Sequence, residues 1–138
     1  MMHIGQCLCG TVKVTTSKAV DQVSVCHCGM CQKWNGGPGF SIDCDTDLQI
    51  EGKGSVTTFS SSQWGERAFC KQCGTHLYYH LISPSKYYVS AALFEDSKQA
   101  QMSMQIYVDS KPSYYNFIEK TPMLTEQDIM KMMGASSD

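Results

Sequence analysis

Three thiols crowded into six residues, Cys26-His27-Cys28-Gly29-Met30-Cys31, are hard to account for as packing, and two further cysteine pairs flank them. Cys7-Leu8-Cys9-Gly10 lies upstream and Cys70-Lys71-Gln72-Cys73-Gly74 downstream, which leaves only Cys44 outside a cluster. Thiolates at these spacings are metal ligands in character. A structural zinc takes four of them in a tetrahedron, and two knuckles that give two each, Cys7 with Cys9 and Cys70 with Cys73, make that set. The glycine after each pair tolerates the backbone angles a knuckle needs to wrap an ion. The triple Cys26, Cys28 and Cys31 has no obvious fourth sulfur. Three protein ligands and one open position are what a catalytic zinc site presents. A ligand from elsewhere, Cys44, His76 or His80, would close it, and an iron–sulfur cluster would need a fourth anchoring position.

The totals agree with this reading. With 138 residues, 42% of them hydrophobic, the chain has the size of one domain, expected over residues 1–134, with a disordered tail at 135–138. The net charge is −2 and the 11 basic residues form no run, so the footprint of a nucleic-acid binder is missing. No apolar stretch is long enough to span a bilayer and no basic-then-apolar leader opens the chain, so a soluble cytoplasmic protein is expected. In a reducing compartment clustered thiols serve as metal or redox groups rather than disulfides, and neighbours in Cys-x-Cys could close only a strained ring.

Short β elements must position these ligands. Gly10 to Thr16 alternates β-branched and polar residues and leads out of the first knuckle, and Val23-Ser24-Val25 runs into the triple. Continued alternation would put Cys26 and Cys28 on one side and His27 on the other. Gly29 to Trp34 is expected to form a helical turn. Asn35-Gly36-Gly37-Pro38-Gly39 then forces an irregular loop that could wall a pocket. Strands are expected at 40–43, 48–51, 56–59, 66–69, 75–80, 87–91, 105–108 and 114–118, with Asp109-Ser110-Lys111-Pro112 as the turn between the last two. Only the C-terminus reads as a helix, with Thr125 and Asp128 as a capping box, Leu124 and Ile129 as a staple and Gly134 as the stop. The fold class is mainly β, of small antiparallel sheets with zinc knuckles and a short C-terminal helix.

Single residues carry less information. Cys44 reads as a small buried hydrophobe. His27 suits a supporting hydrogen bond beside a metal. His76, Tyr78 and His80 read as ordinary strand residues. Arg67, the chain's one arginine, is expected either to pair with an acid or to hold a substrate carboxylate in its fork.

Taken together, Cys7-x-Cys9-Gly10, Cys26-His27-Cys28-x-x-Cys31 with Trp34 and Gly36-Gly37-Pro38, and Arg67-x-Phe69-Cys70-x-x-Cys73-Gly74 resemble, in order, the motifs of the glutathione-dependent formaldehyde-activating enzyme family, also called the centromere protein V type. Lys111-Pro112 with Tyr114-Tyr115 resembles that family's C-terminal segment. The resemblance implies a β-tent, a structural zinc on Cys7, Cys9, Cys70 and Cys73, and a second, catalytic zinc on Cys26, Cys28 and Cys31. It also implies a carbon–sulfur lyase activity that joins formaldehyde to glutathione as S-(hydroxymethyl)glutathione. Lys33, Trp34, Gly36, Gly37 and Arg67 are then the candidate substrate contacts, Lys33 and Arg67 for the carboxylates of glutathione. Two other classes remain in view. One is a zinc-stabilised binding module with both sites closed. The other is a thiol redox protein, which would need a metal-free cysteine of low pKa, and Cys44 is the one left over.

Overall fold

The computed structural model describes residues 1–134. The expectation about the tail at 135–138 falls outside the described residues. Eleven strands make two sheets. The smaller joins β1 (His3–Gln6), β2 (Lys13–Thr16) and β5 (Gln49–Glu51) in the order β1-β2-β5. The larger has eight strands, ordered β11-β10-β3-β4-β9-β8-β7-β6. Its members are β3 (Gln22–Cys26), β4 (Gly39–Asp45), β6 (Val56–Ser60), β7 (Gly65–Cys70), β8 (His76–Leu81), β9 (Lys86–Ser90), β10 (Gln101–Ile106) and β11 (Met123–Leu124). Two helices complete the fold, α1 (Gly29–Asn35) and α2 (Glu126–Met132).

The mainly β class holds, and most pairings are antiparallel. The exception is one end of the large sheet, where β10 runs parallel to both β3 and β11. That register sets Ile106 beside Cys26, which brings the chain's last third to the triple.

Val12, Val14, Ile42, Leu77, Val89 and Phe94 are almost wholly buried between the sheets, together with Cys7, Cys44 and Cys70. Each large apolar side chain so buried contributes roughly 1.5–3 kcal/mol. Alternation along β7 sends Ala68 and Cys70 into this core, while Arg67 and Phe69 alternate to the other face of the strand. Trp34 of α1 packs on that other face, stacked on Phe59 and edge-on to Phe69.

Two sequence expectations are corrected. Residues 114–118 are not a strand but part of an irregular strap that follows Pro112. The alternating aromatics there have a different cause, since Tyr115 and Phe117 both pack on the His27 ring, with centroids at 5.5 and 5.9 Å. The strand placed at 105–108 is the end of a longer one, Gln101–Ile106, and a 3₁₀ turn occupies Val108–Ser110. β1 and the two-residue β11 lack a strong periodic signal, because their pairing partners define them. The C-terminal helix starts as expected. Thr125 Oγ1 accepts the Asp128 N–H at 3.2 Å and Asp128 Oδ2 accepts the Thr125 N–H at 2.9 Å, while Gly134 takes a left-handed φ of 71°.

Candidate metal centres and active site

The four-thiol cluster joins two turns. Cys7 and Cys9 sit in the turn of the β1–β2 hairpin, while Cys70 ends β7 and Cys73 lies in the turn before β8. Gly10 and Gly74 take φ of 80° and 78°, the left-handed region in which a side chain would be strained. The Gly10 N–H closes on the Cys7 carbonyl at 3.0 Å and the Gly74 N–H on that of Cys70 at 2.7 Å. Cys9 Sγ lies 3.6 Å from Cys7 Sγ and 3.8 Å from Cys70 Sγ. The edge of a tetrahedron with metal–sulfur bonds near 2.3 Å is about 3.8 Å. The donors and their spacing therefore fit a tetrahedral ion of zinc's size. Thr75 fastens the two turns together, its hydroxyl accepting the Leu8 N–H at 3.1 Å while Cys73 Sγ lies 3.1 Å away. The same hydroxyl, with the Thr75 and Cys9 backbone amides, pulls the Cys73 thiol down to about 5, whereas burial pushes Cys70 up to about 11.

The three-thiol cluster is built differently. Cys26 ends β3, Cys28 caps α1 and Cys31 lies in its first turn, where the Cys31 N–H donates to Cys28 Sγ at 3.3 Å. The three sulfurs lie within 4.8 Å of one another, and no other His, Cys, Asp or Glu among the described residues joins them. Without a cation they cannot all ionise. Contact with the Cys26 and Cys31 thiols draws Cys28 far below the ordinary thiol range, and contact with Cys28 drives Cys26 far above it. Cys31 is pulled down by Cys26, but its contact with Cys28 and its burial outweigh that and leave it raised. A divalent ion would supply the missing positive charge, so this donor set also fits a metal.

The surroundings of the triple are not those expected from sequence. Arg67 meets no acid among the described residues; its Nη1 and Nη2 point at Cys31 Sγ, at 3.7 and 3.6 Å. His76 is more than a strand residue, because its ring stacks on Trp34 at 4.4 Å and its Nδ1 lies 3.3 Å from Asn35 Oδ1. Lys33 is exposed on α1. Gly36 ends the helix in the left-handed region at φ 74°, followed by Gly37 in the loop. Tyr107 was not visible from sequence as a site residue. It follows Ile106, the parallel partner of Cys26, and holds a left-handed φ of 55°, a conformation that costs a non-glycine residue on the order of 1–3 kcal/mol. Burial first, then the charge of Cys26 and Cys28, pushes its phenol up to about 12, so the group is a donor at neutral pH. Cys44 lies away from both clusters, fully buried, and that burial raises its thiol to about 11.

His27, expected as a supporting residue, is the centre of a buried chain. Its Nε2 lies 2.9 Å from Gln105 Oε1, a carbonyl that only accepts, so the ring hydrogen sits on Nε2. Nδ1 then accepts the Tyr115 hydroxyl at 2.8 Å, and that oxygen accepts Gln32 Nε2 at 2.5 Å. Gln105 Nε2 passes on to Thr121 Oγ1 at 3.3 Å, and Thr121 to the Pro122 carbonyl at 3.0 Å. Every bond runs in one direction from α1 to the strap. The backbone between Cys26 and Cys28 is thereby tied to Tyr115, 88 positions away.

A β-fold carrying one four-thiol and one three-thiol cluster, each able to hold a metal ion, defines a cysteine-rich class. Within it the chain belongs to the glutathione-dependent formaldehyde-activating enzyme family, whose model matches residues 2–110. An uncharacterized lyase of Schizosaccharomyces pombe is 32% identical over 92% of this chain and 93% of its own. A Halomonas elongata protein, named as a candidate glutathione-dependent formaldehyde-activating enzyme, is 25% identical over 83% of this chain and 80% of its own. The crystal structure of a Rhodobacter sphaeroides protein superposes with a TM-score of 0.57 at 18% identity, over 89% of this chain and 99% of that one, and shares the fold. No helix among the described residues is long and apolar enough to cross a membrane.

Proposed function

We propose that the protein is a zinc-dependent carbon–sulfur lyase that joins formaldehyde to the sulfur of glutathione, or of a similar small thiol, and splits the adduct in reverse. The observation that carries this reading is the three-thiol cluster. Its donors suit zinc and would leave one coordination position, whereas Cys7, Cys9, Cys70 and Cys73 would complete a structural site. Zinc held by Cys26, Cys28 and Cys31 would supply Lewis acidity and keep a sulfur nucleophile ionised at neutral pH.

In the reaction a bond forms between the thiol sulfur and the carbonyl carbon. The carbonyl π pair moves to oxygen, and the thiol proton ends there. Tyr107 has the protonated Oη suited to donate a hydrogen bond to that oxygen as its charge grows. Trp34, stacked on His76, would supply a flat apolar wall on α1, and Lys33 with the Gly36-Gly37 loop would meet the carboxylates and peptide groups of the thiol. Holding thiol and aldehyde side by side removes the entropy cost of their encounter. The redox reading has little support, because the one cysteine outside the clusters is buried and its thiol is raised to about 11.

Exchange NMR on labelled formaldehyde and glutathione tests the proposal. Zinc-loaded protein should speed interconversion with S-(hydroxymethyl)glutathione, and Cys28→Ser should abolish the gain. No acceleration over the spontaneous exchange would overturn it.

A further inference from the structure

Arg67 is 6% exposed, and its guanidinium sits with Nη1 and Nη2 at 3.7 and 3.6 Å from one sulfur, Cys31 Sγ. The Tyr79 ring lies against it, 5.1 Å from Cζ to centroid. Nε has no hydrogen-bond partner among the described residues, so much of this buried cation's bonding is directed at the sulfur. The backbone of β4 closes over the same atom, since a side-chain carbon at Gly39 would stand 3.4 Å from Cys31 Sγ. The three thiols are therefore unequal, and Cys31 is the one clamped by the guanidinium.

Two consequences follow from elementary electrostatics. A fork of donors on a thiolate withdraws electron density from it and weakens it as a nucleophile. Three thiolates around a divalent ion leave one net negative charge, which the guanidinium cancels. A site brought to neutrality accepts an anionic fourth ligand with less repulsion than one already negative.

We propose that Arg67 is a positioning and specificity residue. It keeps Cys31 as a fixed, unreactive ligand and balances the charge of the cluster, so that the open position selects a thiolate over neutral ligands. This rests on the reading of the triple as an open metal site.

The test uses cobalt(II)-loaded protein, whose visible absorption reports the fourth ligand. Wild type, Arg67→Met and Arg67→Lys are titrated with glutathione, with 2-mercaptoethanol, a thiol without carboxylates, and with neutral imidazole. Arg67→Met should lose on the order of 10- to 100-fold in thiol affinity with imidazole affinity little changed, and Arg67→Lys, which keeps the charge and loses the fork, should fall between. Should the Met variant not fold, the Lys variant decides. A thiol-to-imidazole ratio equal to wild type overturns the assignment. Losses confined to glutathione overturn it too, since Arg67 would then be a carboxylate clamp. Wild type that binds 2-mercaptoethanol in an Arg67-dependent way but ignores glutathione supports this role for Arg67 and sinks the proposed substrate. Wild type that binds neither thiol overturns both.

Discussion

The two cysteine clusters share an element and little else. In the four-thiol cluster each knuckle is closed by a left-handed glycine, two of its thiols are buried, and Thr75 bridges the turns. It ties the β1–β2 hairpin to the β7–β8 turn across 61 positions, where closing the loop has an entropic cost that a bound ion would offset. In the three-thiol cluster the thiols come from one short stretch, and what is distant is the support: Arg67 on β7, Gln105 on β10 and Tyr115 in the strap. One cluster brings its thiols together from afar, while the other takes its thiols from one stretch and its support from afar. A site that joins remote segments holds a fold together, and a site whose ligands are local and whose surroundings are remote can be tuned without unfolding.

The sharpest way to break this comparison is to remove one ligand from each. Cys70→Ser should lower the melting temperature by about 10 °C or more through loss of a tetrahedral site. Cys28→Ser should melt within a few degrees of wild type, roughly, yet lose one metal by native mass spectrometry. Equal melting losses would show that the division of roles is wrong. Next in size is the buried chain at His27. Tyr115→Phe removes the hydroxyl bonded to Nδ1 and should cost about 1 kcal/mol in denaturant unfolding, with zinc affinity of the triple falling while that of the four-thiol site stays; losses shared by both sites would deny a local role. Cys44→Ala should cost about 1 kcal/mol as a core truncation and leave turnover unchanged, whereas lost turnover would revive the redox reading.

The smallest effect lies outside both clusters, at the start of α2. The Thr125 amide, then its hydroxyl, holds the Asp128 carboxyl below its ordinary range. Its folded pKa is thus lower than its unfolded one. The contribution is complete above the unfolded value near ~3.9 and disappears as pH falls through the folded value. The melting difference between wild type and Asp128→Asn should be constant near neutrality and shrink below roughly pH 4. A difference that grew with acid would reverse the sign.

The sequence by itself determined which cysteines group together, because Cys-x-Cys and Cys-x-x-Cys put their sulfurs on one turn whatever the rest of the chain does. It also determined the knuckle glycines, the capping box of α2 and most central strands, all of which depend on neighbours within a few residues. Tertiary structure alone decided that Arg67 meets a sulfur instead of an acid, and that His76 backs Trp34. It also decided that β10 runs parallel beside β3, which delivers Tyr107 to the triple, and that Tyr115 and Phe117 alternate as a strap over His27 and not as a strand. These contacts join positions up to 88 apart. Nothing in a local pattern fixes such a distance, since strand register and the burial of a single charge are settled only when the whole sheet packs.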